Sequence, residues 1–516
     1  MGGLEMTTFK FIKNSVILII AGLLGGCATV SFDQPKSYST AIMDTGNTTL
    51  GEYAAHITDQ HKGGSGFYPL DYGMDALGVR LRLAERAEKS IDLQYFLMKL
   101  DTAGAVLANG LLRAADRGVR IRFLLDDVFT TVPDRSFLLM NQHPNIEIRM
   151  FNPVSRRGIY ALNFAGQFSQ ANRRMHNKSF TVDNSISVVG GRNIADEYFQ
   201  LKEDVVFADF DILAVGPIVA EISDSFDEFW NHSRAVPVEQ FIKDKKGEDL
   251  EFVRREIAEE FDGIYDSVYE QALNSPLLKD LIAKQLPLYA AQARVLADSP
   301  DKLVNEINET HMRLVMELRD VILSAEKEIV FISPYYIPGD GGVELIRGLV
   351  AKGVRIIILT NSLASTNHVV VHSAYARYRR DVIQAGAELY EARANAAREV
   401  KGDVDGPEKL TLHTKAIIVD QKKLFVGSLN LDPRSIELNA EMGLLIDSEA
   451  LVADSTKDGE QGLATLTYRV LINDKGKLEW HSLIDGQEVI TTKEPLTSGW
   501  LRFKSWFMKI APESQL

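Results

Sequence analysis

Hydrophobic and polar positions alternate along this chain in a pattern that occurs twice. Apolar residues at helical spacing run through 76–90 and again through 313–328. An uninterrupted apolar run follows each of them, IDLQYFL and IVFISPYYI, and a second helical segment then leads to RGVRIRFLL or KGVRIIILT. Continuous apolar strands that alternate with amphipathic helices are typical of βαβ units, in which helices cover both faces of the sheet. The pattern therefore predicts an α/β fold.

The two occurrences are copies of one domain. AEKSIDLQYF at 87–96 corresponds to AEKEIVFISPYY at 325–336. RGVRIRFLL at 117–125 corresponds in the same way to KGVRIIILT at 352–360, with almost the same offset along the chain. An offset that is nearly constant predicts an internal duplication. Two tandem domains also suit the length, because 516 residues exceed what one hydrophobic core usually organises.

Segments without a counterpart in the other copy set the predicted boundaries. We expect a signal segment at 1–27, a linker at 28–60, the first domain at 61–235, a helical connector at 236–305, the second domain at 306–465, and a C-terminal β-hairpin with an amphipathic helix at 466–516. In the last segment Trp500, Phe503, Trp506, Phe507 and Ile510 share one side at helical period. That pattern predicts either a helix that lies in a membrane interface or a terminal helix packed on the domain.

Composition and charge narrow the classes of function. The chain is 45% hydrophobic and 25% charged, as in an ordinary globular protein. Its net charge of −14 and sequence pI near 5.3 disfavour a nucleic-acid-binding protein, because a negative field repels a polyphosphate backbone. We therefore expect no nucleic-acid partner, and the sequence indicates no particular protein partner.

The N-terminus has the layout of an export signal. Lys10 and Lys13 precede an apolar run at 15–24, and Leu-Gly-Gly then leads to Cys27, the only cysteine of the chain. The run is shorter than the roughly 20 residues that span a bilayer. The segment resembles the lipobox of bacterial lipoproteins, which implies cleavage before Cys27 and lipidation of that residue; the alternative is a plain signal anchor. In that family, Ala28 directly after the cysteine slightly favours anchoring in the outer membrane over retention in the inner one. The expected location is the cell envelope, with the body facing the periplasm.

A sparse motif appears once in each copy, at matching places. It reads H-x-K, four residues, D, six residues, then G-[G/S]-x-N. Its members are His176, Lys178, Asp183, Gly190 and Asn193 in the first copy, and His413, Lys415, Asp420, Gly427 and Asn430 in the second. The separation of the two histidines along the chain matches the offset of the duplication.

These residue types suit the chemistry of a phosphodiester. On a strand, residues two apart point the same way, so the histidine and the lysine of each motif share a face. Lysine supplies positive charge for phosphate oxygens, asparagine supplies neutral donors, and imidazole can attack phosphorus. Two such sets facing each other would form one site, with a histidine on either side of the phosphorus. Because the lysines carry the charge stabilisation, we expect neither a metal nor another cofactor.

A doubled motif of this kind is the signature by which the chain resembles the phospholipase D superfamily. The resemblance implies two α/β/α sandwich domains with the active site at their interface. It implies His176 as the nucleophile and His413 as the general acid/base. Lys178, Lys415, Asn193 and Asn430 would bind the phosphate.

The resemblance leaves the roles of other motif residues open. Ser428 is a further candidate for substrate binding, whereas Gly191 holds the same place in the first copy and lacks a hydroxyl. Asp183 and Asp420, catalytic residues in the family's motif, either orient a histidine or cap the turn after the strand. The second reading is favoured here. Two glutamates that follow the asparagines, Glu197 and Glu441, are alternative partners of the imidazole N–H groups.

Within the superfamily the chain is similar to the bacterial cardiolipin synthases of the C type. The similarity rests on SGFYPLDYGMDAL, RRMHNKSFTVD, GGRNIADEYF, ILTNSLASTNHVVVHSAYARYRRDV and LNLDPRSIELNAEMG. It implies phosphatidyl transfer to phosphatidylglycerol through a phosphohistidine, at a membrane surface, with phosphatidylglycerol or phosphatidylethanolamine as donor. The alternatives are hydrolysis of glycerophospholipids to phosphatidic acid and, less favoured, cleavage of a nucleic-acid phosphodiester.

Overall fold

The computed structural model describes residues 30–516, apart from 157–159, 203, 243–246, 261–263, 276, 278, 280–285, 307, 309 and 397–408. The predicted signal segment, with Cys27, therefore lies outside the described residues. Within the described ranges, no helix has both the length and the apolarity needed to cross a bilayer.

Helices and strands alternate through both copies. The helices are α1 (Thr49–Gln60), α2 (Gly73–Arg86), α3 (Thr102–Asp116), α4 (Asp134–Met140), α5 (Tyr160–Gly166), α6 (Phe168–Ala171), α7 (Ile218–Asn231), α8 (Val238–Phe241), α9 (Leu250–Glu260), α10 (Ile264–Leu273), α11 (Arg313–Leu323), α12 (Gly339–Ala351), α13 (Val369–Gln384), α14 (Glu449–Thr456), α15 (Gly459–Leu466) and α16 (Gly499–Met508). The strands are β1 (Ser65–Leu70), β2 (Ser90–Tyr95), β3 (Arg120–Asp126), β4 (Ile146–Phe151), β5 (Ser179–Val182), β6 (Ile186–Gly190), β7 (Val205–Ala208), β8 (Asp211–Val215), β9 (Ala235–Pro237), β10 (Tyr289–Ala297), β11 (Glu328–Ile332), β12 (Arg355–Asn361), β13 (Glu388–Ala392), β14 (Lys409–Leu412), β15 (Ala416–Val419), β16 (Lys423–Gly427), β17 (Met442–Asp447), β18 (Thr467–Ile472), β19 (Leu478–Ile484) and β20 (Gln487–Thr491).

Each copy builds one mixed sheet of the same topology. In the first copy the order is β9-β4-β3-β2-β5-β6-β8-β1, in which β2, β3 and β4 are parallel and the other pairings antiparallel. The second copy repeats it as β18-β13-β12-β11-β15-β16-β17-β10. The three parallel strands of each sheet are linked by helical crossovers, as the alternating pattern of the sequence predicts. The prediction of a duplicated α/β fold is confirmed.

The two sheets join edge to edge and also pack face to face. Strands β1 and β10 pair antiparallel and make one continuous hydrogen-bonded sheet of both copies. A central apolar cluster combines Val189 and Ile212 of the first sheet with Val426 and Leu444 of the second, all fully buried. Because each copy covers the other's apolar face, burial of this cluster stabilises the pair and not either half alone.

A short parallel ribbon, β7 with β14, crosses from one copy to the other. Val205 to Ala208 pair in register with Lys409 to Leu412. The ribbon ends directly before Asp209 in the first copy and before His413 in the second. It therefore brings these two residues together although 204 positions separate them along the chain.

Three segments differ from the predicted boundaries. The linker predicted at 28–60 contains α1, which Thr48 caps and which packs Leu50 and Ile57 into the first core. The connector predicted as helical at 236–305 ends in β10, a strand of the second sheet. Its sequence, YAAQARVLA, is rich in good helix formers, and only pairing with β1 and β17 makes it a strand. At the C-terminus β18, β19 and β20 form a three-stranded meander that continues the second sheet through β13.

Candidate active site

The two motif histidines lie at the boundary between the copies, each held by the backbone of the other copy. The His176 N–H donates to the carbonyl oxygen of Ala440 at 2.8 Å, and the His413 N–H donates to that of Ala208 at 2.7 Å. The residue that follows each acceptor is acidic, Glu441 or Asp209. The backbone pairing therefore sets each histidine beside a carboxylate from the opposite copy.

Those carboxylates bind the imidazole rings. The Nδ1 atom of His176 lies 2.8 Å from Oε2 of Glu441, and Nδ1 of His413 lies 2.6 Å from Oδ2 of Asp209. A carboxylate that accepts from Nδ1–H leaves the Nε2 lone pair available to react. The structure thus brings Glu441 to His176, in the position that the sequence predicts for an imidazole partner.

Glu197, the other glutamate predicted as an imidazole partner, is placed differently. Its carboxylate forms an ion pair with Lys99, and Lys202 lies 3.7 Å from its second oxygen. The prediction was wrong for Glu197, because a one-turn helix at Asp196–Tyr198 turns this side chain towards Lys99.

Asp209 was missed by sequence reasoning, although a signal exists. In the first copy Gly190 pairs with Asp211, and in the second Gly427 pairs with Gly443. Asp209 and Glu441 therefore occupy equivalent positions, each just before the strand partner of the motif glycine. An acidic residue just ahead of β8 in FADFDI and of β17 in NAEMGL marks both.

Gly191 and Ser428, predicted near the substrate, contact these carboxylates instead. The Ser428 hydroxyl donates to Oε2 of Glu441 and accepts from the N–H of Met442 at 3.0 Å. A Cβ added to Gly191 would overlap the Asp209 carboxylate. Asp209, the shorter acid, occupies the space that Gly191 leaves. Glu441, the longer acid, accepts a hydrogen bond from the Ser428 hydroxyl. Both residues therefore contact the carboxylate that binds a histidine.

Asp183 and Asp420 lie at the turns and do not contact the histidines. The Asp183 carboxylate accepts from the backbone N–H groups of Lys89 and Ser90 at 2.8 and 2.9 Å. Asp420 binds the equivalent groups of Lys327 and Glu328 at 2.7 and 3.0 Å. Each of these two residues has a positive φ, as does the one after it, which is the geometry of a tight hairpin turn. They tie each hairpin to the start of a neighbouring strand, as the reading favoured from the sequence predicts, and this corrects the catalytic role that the family's motif implies.

The two lysines of the motifs are buried beside the histidines. Lys178 donates to the carbonyl oxygen of His176, and Lys415 to that of His413, each at 2.5 Å. Burial lowers the pKa of Lys178 to about 7 against the opposing effect of Glu441, and the Lys415 ammonium adds to the lowering. Burial lowers the pKa of Lys415 to about 8, against the partial opposition of Asp209 and Glu441. The site is thus a buried centre with two lysines whose pKa values lie close to neutral pH.

Burial also keeps both imidazoles neutral in the free protein. It lowers the pKa of His176 to about 4 against the opposing effect of Glu441. It lowers the pKa of His413 to about 3, and the Lys415 ammonium adds to that effect. Burial alone would raise the pKa of Glu441, but His176 and Lys178 hold it below its usual range. Neutral rings beside ionised carboxylates are what a nucleophile and a base require.

The asparagines of the motifs hold equivalent positions. The Asn193 amide donates to the Tyr198 hydroxyl at 2.9 Å, and the Asn430 amide donates to that of Ser435 at 3.3 Å. Among the described residues, the Asn430 Oδ1 atom is buried and has no hydrogen-bond partner. Both amides line the same cavity as the histidines.

This cavity has a volume of about 590 Å³ and collects both halves of the site. His176, His413, Asn193 and Asn430 line its polar centre. The lining also includes the apolar residues Phe129, Phe164, Phe168, Val370 and Val371. A cavity lined by two imidazoles, two amides and several apolar side chains suits a phosphodiester that carries hydrocarbon chains.

Known proteins of one family match the chain along most of its length. A family model described as cardiolipin synthase, phospholipase D-like domain, matches residues 81–230 and again 318–461. Cardiolipin synthase C of Escherichia coli K12 is 38% identical over 88% of this chain and 97% of its own. A cardiolipin synthase of Oceanobacillus iheyensis is 26% identical over 73% of this chain and 65% of its own.

A solved structure shares the fold. The phosphatidylserine synthase of Haemophilus influenzae Rd KW20 superposes with a TM-score of 0.54 at 15% identity, over 80% of this chain and 91% of that one. The two regions that the family model matches fall one in each copy of the duplication. The chain therefore belongs to the cardiolipin synthase family of phospholipase D-like enzymes.

Proposed function

We propose that this enzyme forms cardiolipin by moving a phosphatidyl group from a glycerophospholipid to the free hydroxyl of phosphatidylglycerol. The observation that carries the proposal is the pair of histidines, each bound to a carboxylate of the other copy and both facing one cavity. Family membership adds the phospholipid substrates. Phosphatidylglycerol or phosphatidylethanolamine would serve as donor.

In the first half of the reaction His176 is the nucleophile. Its Nε2 attacks phosphorus, a P–N bond forms, and the P–O bond to the head alcohol breaks. His413 gives the departing oxygen a proton from Nε2. The bound phosphodiester is negative and raises the pKa of the facing imidazole, and Asp209 stabilises the imidazolium in the meantime.

In the second half the roles reverse. Neutral His413 takes the proton of the phosphatidylglycerol hydroxyl, whose oxygen attacks phosphorus as the P–N bond breaks. His413 ends protonated and His176 neutral, as both were in the donor complex, after His413 had taken up one proton from solvent on binding the donor. Lys178 and Lys415 would hold the non-bridging oxygens and offset their charge, and the amides of Asn193 and Asn430 would add neutral donors. Water in place of phosphatidylglycerol would give phosphatidic acid.

Purified enzyme in vesicles of labelled phosphatidylglycerol tests the function. We expect cardiolipin and glycerol in equal amounts, and phosphatidylethanolamine as donor should give cardiolipin and ethanolamine. Release of phosphatidic acid alone, with phosphatidylglycerol in excess, would rule out the synthase and leave the hydrolase. A protein that shows no turnover in either assay would contradict both the synthase and the hydrolase activity.

The pH dependence of kcat/KM should be bell-shaped. As pH falls through about 4, protonation of His176 removes the nucleophile. As pH rises through about 7, Lys178 loses the charge that binds phosphate. In Lys178→Arg the alkaline limb should move towards the pKa of Lys415, about 8, because arginine stays charged. Steady-state kinetics between about pH 3.5 and 9 checks this, and an unmoved alkaline limb in the variant would contradict it.

We also propose that acyl chains on Cys27 hold the enzyme at the periplasmic face of an envelope membrane, with the outer membrane slightly favoured. The support is the lipobox resemblance of the leader. Incorporation of labelled palmitate that Cys27→Ser abolishes would support lipidation, and a chain of unchanged mass and without label would exclude it.

A further inference from the structure

The C-terminal helix α16 turns its apolar side outward. Trp500 is 71% and Trp506 is 65% exposed, and Phe503, Phe507 and Ile510 are exposed beside them. The aromatic rings follow one another along the helix: Trp500 and Phe503 are stacked at 5.6 Å between centroids, and Phe503 and Trp506 are tilted at 5.9 Å. A contiguous exposed apolar patch of this kind marks a surface that is covered when the protein works.

The opposite side of α16 holds the helix on the second copy. Ser505 is buried there, and its hydroxyl lies 3.1 Å from that of Ser373 on α13. Ser498 caps the helix by accepting from the N–H of Leu501. Of the two interpretations that the sequence leaves open, a terminal helix packed on the domain therefore describes this side of α16. The helix is packed through its small polar side, and its aromatic side is free.

Helix α16 packs against an element that lines the active-site cavity. Val370 and Val371, near the start of α13, line the cavity, and so do Gln515 and Leu516, which follow α16 in the chain. Asn172, also on the cavity wall, donates to the Gln515 side chain at 2.7 Å. Phe129 and Phe168 are exposed at the same cavity. Helix α16 is thus joined to the wall of the cavity through α13 and through the residues that follow it in the chain.

The charge of α16 differs from that of the whole protein. Between Gly499 and Ile510 the chain carries Arg502, Lys504 and Lys509 and no acidic residue, whereas the net charge of the protein is −14. Aromatic side chains flanked by basic ones suit the boundary between acyl chains and anionic headgroups.

We propose that the aromatic side of α16 docks on a bilayer that contains anionic phospholipid, with the helix lying in the plane of the interface. The proposal rests on the proposed function, since a lipid surface is the partner that the cavity's substrates imply. Docking sets the mouth of the cavity at the headgroups, so a phospholipid reaches His176 without leaving the membrane entirely.

Tryptophan fluorescence tests the docking on the full chain, bound to vesicles of phosphatidylglycerol with brominated acyl chains. The chain has four tryptophans, and Trp230 and Trp480 are buried at 0% and 4% exposure. Bromine should quench the emission of Trp500 and Trp506 and leave that of the other two, so Trp500→Phe/Trp506→Phe should lose most of the quenching. Vesicle-bound protein whose quenching does not depend on Trp500 and Trp506 would overturn the proposal.

Activity on two forms of substrate separates docking from catalysis. In Trp500→Ser/Trp506→Ser, turnover on phosphatidylglycerol vesicles should fall about tenfold or more, while turnover on dispersed short-chain phosphatidylglycerol should stay unchanged. Tyr38→Ser, at an equally exposed site remote in sequence, is the matched control and should keep both activities.

Equal losses on both substrates would assign α16 a structural role. A native dimer that the double variant converts to monomer would assign the surface to a second copy. No activity in the native protein on either substrate, with quenching intact, would instead refute the proposed function and leave the docking.

Discussion

Alanine in place of His176 is expected to abolish turnover, with kcat lowered by at least roughly 10⁴-fold, and to remove the covalent intermediate. No other group in the described site combines a neutral ring with a carboxylate-bound Nδ1 on that side of the cavity. Acid-labile label from a ³²P-phospholipid, located by peptide mapping, should appear on His176 of the native enzyme and be absent from His176→Ala.

The variant His413→Ala should separate the two histidines. A phosphodiester with p-nitrophenolate as leaving group needs no proton to depart, so this variant should still form the intermediate on His176. It should then stall, because no base is left to activate the acceptor. We expect a single burst of p-nitrophenolate and accumulated label. A burst from His176→Ala, or label on His413 in the native enzyme, would reverse the two roles.

Removing the charge of either cross-copy carboxylate is expected to cost about 10³-fold in kcat with little change in KM. In Glu441→Gln and Asp209→Asn the amide no longer stabilises an imidazolium and no longer fixes the proton on Nδ1. The pKa of His176 should also fall below about 4 in Glu441→Gln, because Glu441 opposes the effect of burial. Single-turnover kinetics and NMR titration of the ring Cε1–H measure the two effects.

Glu197→Gln is the matched control for these variants. Its carboxylate lines the same cavity but pairs with Lys99, so kcat should fall far less than in Glu441→Gln. Asp183→Asn serves as a second comparison, since its effect should fall on the free energy of unfolding and spare the kcat of the folded enzyme. Comparable loss of kcat in Glu197→Gln and Glu441→Gln would contradict the proposed role of the cross-copy pair.

Periodicity and repetition predicted most of the fold. The parallel strands β2, β3, β11 and β12 lie in the apolar runs of the sequence, and the near-constant offset between the two pairs identified the duplication. Strand β10 was not predicted, because its residues favour a helix locally and form a strand only through pairing with β1 and β17. The sequence left two interpretations of α16 open, because helical periodicity defines an apolar side without saying what covers it.

The site was predicted from the residues that the two copies spell alike, and it was missed where the copies differ. Asp209 lies further along the chain from Asn193 than Glu441 does from Asn430, because β7 lies in the first of these intervals. That difference hides the equivalence of the two acids and makes nearby Glu197 look like the better candidate. Asp183 and Asp420 look catalytic for the opposite reason. Both copies need the same tight turn, so the aspartate of that turn occurs in both copies just as the active-site residues do.

The exchange of carboxylates between copies has a consequence for folding. Each half of the chain can bury much of its own core, yet the histidine of either half lacks its orienting acid until the other half has docked. Regain of activity after dilution from denaturant therefore reports the meeting of the halves, whereas regain of helix signal reports their separate formation. A lag between the two signals would measure how long the two halves take to bury the central apolar cluster between them.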